Sequence, residues 1–235
     1  MIGGTVMSVL WNGTNDLPGL QQIAGAFAEL LGNGVLFKYS IASLFRVTAG
    51  FYLAVLLAVP LGLFLGRRPS IQRLGNPLIQ FLRPVSPLAW VPFALLWFGI
   101  GDQPAVFIIF VACFFPILLS TIEASAGIRP IYFHIAANLQ LSRWETLSCL
   151  ILPAAAPSIV LALRVTLGIA WMVVVAAEMI AVKSGLGYLI VDARNALRMD
   201  YVVVAILTIG AIGLLLDGVM RRLAQIESVR WRVGQ

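Results

Sequence analysis

Few side chains in this chain of 235 residues have the type and spacing to do chemistry. His134 is the single histidine, and Cys113 and Cys149 are the only cysteines. No His, Cys or carboxylate cluster surrounds them, so the three or four ligands of a zinc site are missing. No nucleophile has both a base and an orienting partner beside it in the pattern. Arg164 and Glu178 lie in one apolar run, fourteen positions apart. On a helix that spacing is about 21 Å along the axis and about 40° in azimuth, so the two share a face but cannot pair. Ionisable groups at membrane depth face the protein interior or a wet cavity. This face therefore either lines a path where Arg164 offers charge to an anion, or makes structural hydrogen bonds, with Glu178 snorkelling as a further option. Arg46 and Arg83 are the other charges within the apolar runs, and they read as isolated. Ser86 and Trp90 sit among Pro84, Pro87 and Pro92, which break helical bonding. Freed carbonyls in such a segment line a cavity or meet neighbouring helices. Ser86 and Trp90 thus form either a constriction or a packing kink. No G-x-x-x-x-G-K-[ST] loop is present, so the chain has no phosphate cradle of that kind.

The elements that must position these residues follow from composition. The chain is 60% hydrophobic and 11% charged, whereas soluble domains carry about 25% charged residues. That balance describes an all-α polytopic membrane protein. Five spans are expected: about Val47–Leu65, Pro77–Ile100, Gln103–Ile122, Ala154–Val182 and Tyr201–Leu216, each close to bilayer length or reaching it with its flanks. Lys and Arg distribute unequally between the two sets of loops. Arg67, Arg68, Arg73, Arg129, Arg143, Arg221, Arg222, Arg230 and Arg232 fall on one side, and Lys38, Lys183, Arg194 and Arg198 on the other. The positive-inside rule places the first set in the cytoplasm. The net charge of +6 therefore describes membrane anchoring and does not imply nucleic-acid binding.

The longest polar-containing segment is Arg129–Pro153. Pro130 suits the first position of a helix, and Ser142 with Glu145 forms an S-x-x-E capping box opening a second helix. A turn between helices would leave backbone groups unpartnered in lipid, so the unit belongs at the membrane surface. Tyr132, Ile135 and Leu139 recur at helical spacing as apolar positions, which would serve a helix filling a groove or one lying on lipid headgroups in a connecting loop. Near the N-terminus, MIGGTVMSVL is too short to span and Asn12-Gly13-Thr14 matches a glycosylation sequon of little weight. Leu20, Ile23, Phe27 and Leu30 predict an amphipathic helix lying on the membrane surface.

The block from His134 to Ile190 resembles the permease subunit of bacterial ATP-driven importers. That family's cytoplasmic signature is Glu-Ala-Ala, three residues, Gly, then about nine residues before Ile-x-Leu-Pro. Ala136 and Leu152-Pro153 fit it; His134 stands in place of the Glu, Ile135 of the first Ala and Gln140 of the Gly, so the resemblance implies that Gln140 either adopts a left-handed backbone at a cost of about 1 kcal/mol or forces another turn. AAEM (Ala176 to Met179), SGLGYLI (Ser184 to Ile190) and RPVSPLAW (Arg83 to Trp90) resemble the nitrate, sulfonate, taurine and bicarbonate branch. The resemblance implies a type I ABC importer transmembrane domain with about five spans and a cytoplasmic coupling helix, the family's first span being absent. It divides the chain into an extracytoplasmic segment 1–39, a permease domain 40–222 containing the coupling unit 129–153, and a cytoplasmic tail 223–235. Coupling to the ATPase would involve Tyr132, His134, Ile135, Ala136, Leu139, Gln140, Ser142 and Arg143. Ser86, Trp90, Arg164 and Glu178 would line the translocation pathway. Implied partners are a second permease copy, two cytoplasmic ATPase subunits that bind ATP and Mg, an extracytoplasmic binding protein and membrane lipid. No cofactor or metal is expected in this chain. The expected activity is import of a small anion or oxyanion across the bacterial inner membrane, nitrate or bicarbonate first, sulfonate or taurine next. The competing readings are an ATPase-independent carrier or channel, which an inverted repeat would favour, and a membrane-embedded enzyme.

Overall fold

The computed structural model describes residues 18–68, 77, 81–82 and 84–224, all helix and connecting turn. The described elements, in chain order, are α1 (Leu20–Gly32), α2 (Val35–Gly66), a 3-10 turn (Pro87–Trp90) leading into α3 (Val91–Phe98), α4 (Asp102–Ala126), α5 (Pro130–Asn138), α6 (Arg143–Ala181), α7 (Leu186–Asn195) and α8 (Met199–Ala224). Four of them, α2, α4, α6 and α8, are long and apolar enough to cross a membrane.

Close helix packing explains the centre of the bundle. On α2, Gly50, Ala54, Ala58, Gly62 and Gly66 recur every fourth residue and are all buried. Small residues at this spacing let two backbones approach, which is how helices associate where lipid removes the hydrophobic drive. A Cβ on Gly62 would lie 2.6 Å from the Thr121 Cβ of α4, so no larger residue fits there. Ser125 of α4 donates to the Leu63 carbonyl of α2 at 3.3 Å, a further tie across the same seam. Helix α6 lies on the other side of α4, and α8 closes against α6 and α7.

Several expectations need correction. The first, third, fourth and fifth expected spans correspond to α2, α4, α6 and α8. Of the expected second span, the described residues are helical at Pro77, Phe81 and Leu82 and over Pro87–Phe98, which ends at Gly99 with φ +73, and the chain is not helical at 84–86, so the described part is not one continuous helix. Pro84, Pro87 and Pro92 break up hydrogen bonding before it can lengthen. Helix α2 begins twelve residues before the expected Val47, because apolar periodicity marks lipid depth and not the end of a helix. Helix α1 packs against the first half of α8, with Leu20, Ile23 and Phe27 facing Leu207 and Ala211 across an apolar groove and Glu29 reaching Arg198 at 3.4 Å. Residues 1–17, including the MIGGTVMSVL run and the sequon, and Arg83 lie outside the described residues.

Candidate functional site

Two constellations stand at opposite ends of the bundle. At the end where α4 begins and α6 finishes, Arg46 of α2 is 1% exposed and Glu178 of α6 is 0% exposed. All five guanidinium N–H donors find acceptors. Nε and Nη2 reach Asp102 Oδ1 at 2.8 and 2.6 Å, and Nη1 reaches Glu178 Oε1 at 2.6 Å and the Ser184 carbonyl at 2.8 Å. Nη2 also donates to Ser184 Oγ. The other Glu178 oxygen accepts from Ser43 Oγ and from the Gly187 N–H, each at 2.9 Å. The Leu186 N–H in turn donates to Ser43 Oγ at 3.0 Å. One cation thus joins two carboxylates, three long helices and the turn before α7.

Local sequence makes this possible. Gly185 takes φ +105, a backbone conformation side chains rarely adopt. Gly187 sits so close to α6 that a Cβ would fall on the Val175 carbonyl and 2.8 Å from the Glu178 Cβ. The Ser-Gly-Leu-Gly run is therefore the cradle of a buried carboxylate. Sequence reasoning missed the constellation by treating Arg46 as isolated. The available signal was an unpaired arginine and an unpaired glutamate, each needing a partner at membrane depth. The buried members of the constellation, Arg46, Glu178 and Ser43, are all hydrogen-bonded to one another or to the turn before α7 and its first residues, and Asp102 closes the cluster from an exposed position.

At the opposite end, α5 and the start of α6 form a compact unit. Asn138 ends α5 and Gln140 takes φ +53, the left-handed option. Its N–H bonds the Ala137 carbonyl and the Leu141 N–H bonds the Ala136 carbonyl, each at 3.0 Å, the pair that defines a Schellman close. Ser142 N–H then donates to Glu145 Oε2 at 2.7 Å, and Glu145 N–H donates to Ser142 Oγ at 3.2 Å. The capping box is therefore formed. A π-helical turn, Thr146–Ile151, follows. It precedes Pro153, which cannot donate and whose ring crowds the carbonyl four residues back, so the extra residue in the turn relieves the clash. Nothing in the apolar spacing announced it.

The unit has two faces. Phe133 packs with the buried cluster of Leu63, Ala124, Ile128, Ile151, Ala155 and Ile159, and Arg67 at the end of α2 lies 3.5 Å over its ring. Ala136 is also buried. Tyr132, Ile135 and Leu139 are exposed, Leu139 to 67%, as are His134, Gln140, Ser142 and Arg143. One side is thus anchored to α2, α4 and α6, and the other is an apolar ridge with no partner among the described residues.

The four residues expected along a path are not gathered into one cavity. Glu178 belongs to the Arg46 cluster and does not snorkel. Arg164 pairs with Asp217 of α8, Nη2 to Oδ1 at 3.0 Å, and Asp217 also accepts from Arg221. Ser86 is exposed, and Trp90 is partly covered, its ring 6.1 Å from that of Phe93. A separate groove of about 470 Å³ lies between α4 and α6, lined by Pro116, Ser120, Glu123, Ser158, Leu161 and Val165 among others. It was not foreseen.

A bundle of long apolar helices with an anchored, outward-facing ridge at one end is the architecture of a transport permease. The chain belongs to the family of binding-protein-dependent transport system inner membrane components, which its residues 58–226 match. Among relatives, a putative ABC transporter permease protein of Methanocaldococcus jannaschii is 45% identical over 83% of this chain and 73% of its own length. The taurine transport system permease protein TauC of Escherichia coli is 34% identical over 88% of this chain and 77% of its own. The bicarbonate transport system permease protein CmpB of Synechococcus elongatus is 38% identical over 77% and 66%. In fold the chain matches the MetNI methionine ABC transporter in inward-facing conformations, with TM-score 0.63, 18% identity and coverage of 80% of this chain and 96% of that one. It is a type I importer transmembrane domain, and ATP hydrolysis belongs to a separate subunit.

Proposed function

We propose that this chain works as a pair of identical permeases with two ATPase subunits and an extracytoplasmic binding protein, importing a small anion or oxyanion. Bicarbonate, taurine and nitrate are the leading solutes, with sulfonates close behind. The relatives named for bicarbonate and taurine support the solute class, and so does a putative aliphatic sulfonates transport permease of Bacillus subtilis, 34% identical over 92% of this chain. Nitrate rests on the RPVSPLAW segment. The partner subunits bind ATP and Mg, and α5 and the C-terminus face the cytoplasm, as the basic residues around them require.

The observation that carries the mechanism is the two-faced α5. The ridge of Tyr132, Ile135 and Leu139, flanked by His134, Gln140, Ser142 and Arg143, offers itself to a groove on the ATPase. Phe133 and Ala136 hold the opposite face to the ends of α2, α4 and α6. When ATP draws the ATPases together, α5 moves with them and carries those helices along. For that movement to switch access, the ATPase contacts must favour one state over the other, since equal affinity shifts nothing. Arg164 and Glu178 act as ties between spans, while Ser86 and Trp90 border the route taken by the solute.

The test is co-purification with the ATPase and ATP-driven uptake in liposomes. Deleting 130–142 should abolish both while the chain still inserts. Uptake to or beyond equilibrium by the purified chain with no ATPase added would overturn the proposal in favour of a carrier or channel.

A further inference from the structure

The groove between α4 and α6 has a pattern that lipid does not explain. From α4 it takes Pro116, Ser120 and Glu123, from α6 Ser158, Leu161 and Val165. On each helix these recur at three- and four-residue intervals, so each set is one helical face. The groove holds about 470 Å³ and lies along the second half of α4 and the first half to middle of α6, the parts nearer α5 in the chain. Glu123 is exposed and is the single ionisable group among the groove's lining residues. No cation among the described residues lies within ion-pair distance of it. A carboxylate without a counter-charge is costly in hydrocarbon and stable in a wet cavity, and two hydroxyls on the facing helix faces suit water or a polar solute.

We propose that this groove is water-filled and forms the inner mouth of the solute path, with Glu123 setting its electrostatic sign. The inference rests on the importer reading. Ser120 and Ser158 offer hydrogen bonds to the solute or its hydration water. Glu123 makes the mouth negative, so an anionic solute that reaches it is not retained and leaves toward the ATPase side.

The test uses the complete complex in liposomes, with Cys149→Ser to remove the exposed thiol. Ser120→Cys and Ser158→Cys are each labelled from the ATPase side by a cationic and an anionic methanethiosulfonate of similar size, with rates normalised to a free thiol. Both positions should react, the cationic reagent about fourfold faster, as expected for one charge ~10 Å away in water acting with opposite sign on the two reagents. Glu123→Gln should remove the preference and Glu123→Asp keep it. If neither thiol reacts, the groove faces lipid and the proposal falls. If both react with no charge preference, or Glu123→Gln leaves the preference intact, the role of Glu123 falls. ATP-driven uptake measured on the same liposomes separates this outcome from failure of the importer reading, which loss of uptake in the Cys149→Ser parent complex would signal.

Discussion

Arg46 and Glu178 are separated by 132 positions, yet Nη1 of the first lies 2.6 Å from Oε1 of the second in a site closed to solvent. Asp102 on α4 completes the junction from its exposed side. The far ends of three spans are therefore fixed to one another, while their other ends are joined to α5. On the proposed mechanism, a bundle pinned at one end and pushed at the other tilts instead of separating.

Removing Arg46 leaves the buried Glu178 carboxylate without its cation. Breaking such a pair from one side costs about 3–5 kcal/mol, whereas replacing both partners with apolar groups is far milder. Arg46→Met should lower the thermal midpoint of the purified complex sharply, and adding Glu178→Leu should restore part of the loss. A double variant less stable than the single one would show that the pair does not act as a unit.

Gly187→Ala should be severe for its size. The added methyl meets the Val175 carbonyl and the Glu178 side chain, pushing away the N–H that holds the carboxylate. Gly168→Ala, with nothing within 4 Å of the new atom, is the matched control and should be neutral or slightly stabilising, since Ala exceeds Gly in helices by about 1 kcal/mol. Thermal unfolding of both variants compares them directly.

Leu139→Asp should leave insertion intact and uncouple ATP hydrolysis from uptake, because the ridge would then bring an unpaired charge into an apolar groove. Gln140→Gly should do the opposite of harm. Relief of the left-handed strain, about 1 kcal/mol, should raise the thermal midpoint with uptake kept. Normal coupling in Leu139→Asp would count against docking through α5.

Arg164→Gln and Asp217→Asn should each weaken anion uptake without unfolding the chain. Combining them should add little, because either substitution already breaks the tie between α6 and α8. Strictly additive losses in a double-mutant cycle would mean that the two side chains act separately, and unchanged transport in Arg164→Gln would leave the tie without a functional role.

Cysteines introduced at Lys183 and Arg143, both exposed, should be labelled by an impermeant reagent from opposite sides of the membrane, Lys183→Cys from outside only. Labelling of both from one side would overturn the topology.

The sequence by itself determined what is local or additive. Composition set the membrane class and four of the helices long enough to span. Arginine placement set the orientation we propose. Ser142 with Glu145 determined a helix start that formed as read, because a capping box depends on residues three apart. The left-handed backbone at Gln140 was legible only as one of two options, through the resemblance that sets Gln140 where the family has Gly. What only the tertiary structure decided is who meets whom across the bundle. Arg46, Asp102, Glu178 and Ser184 lie on separate stretches of chain, and nothing in their spacing announces that helix packing brings them within hydrogen-bond distance. The packing of α1 on α8, the Arg164–Asp217 tie and the groove holding Glu123 are of the same kind. Each depends on the relative placement of helices, set by packing of small residues such as Gly62 against Thr121, and apolar periodicity within one helix is blind to that placement.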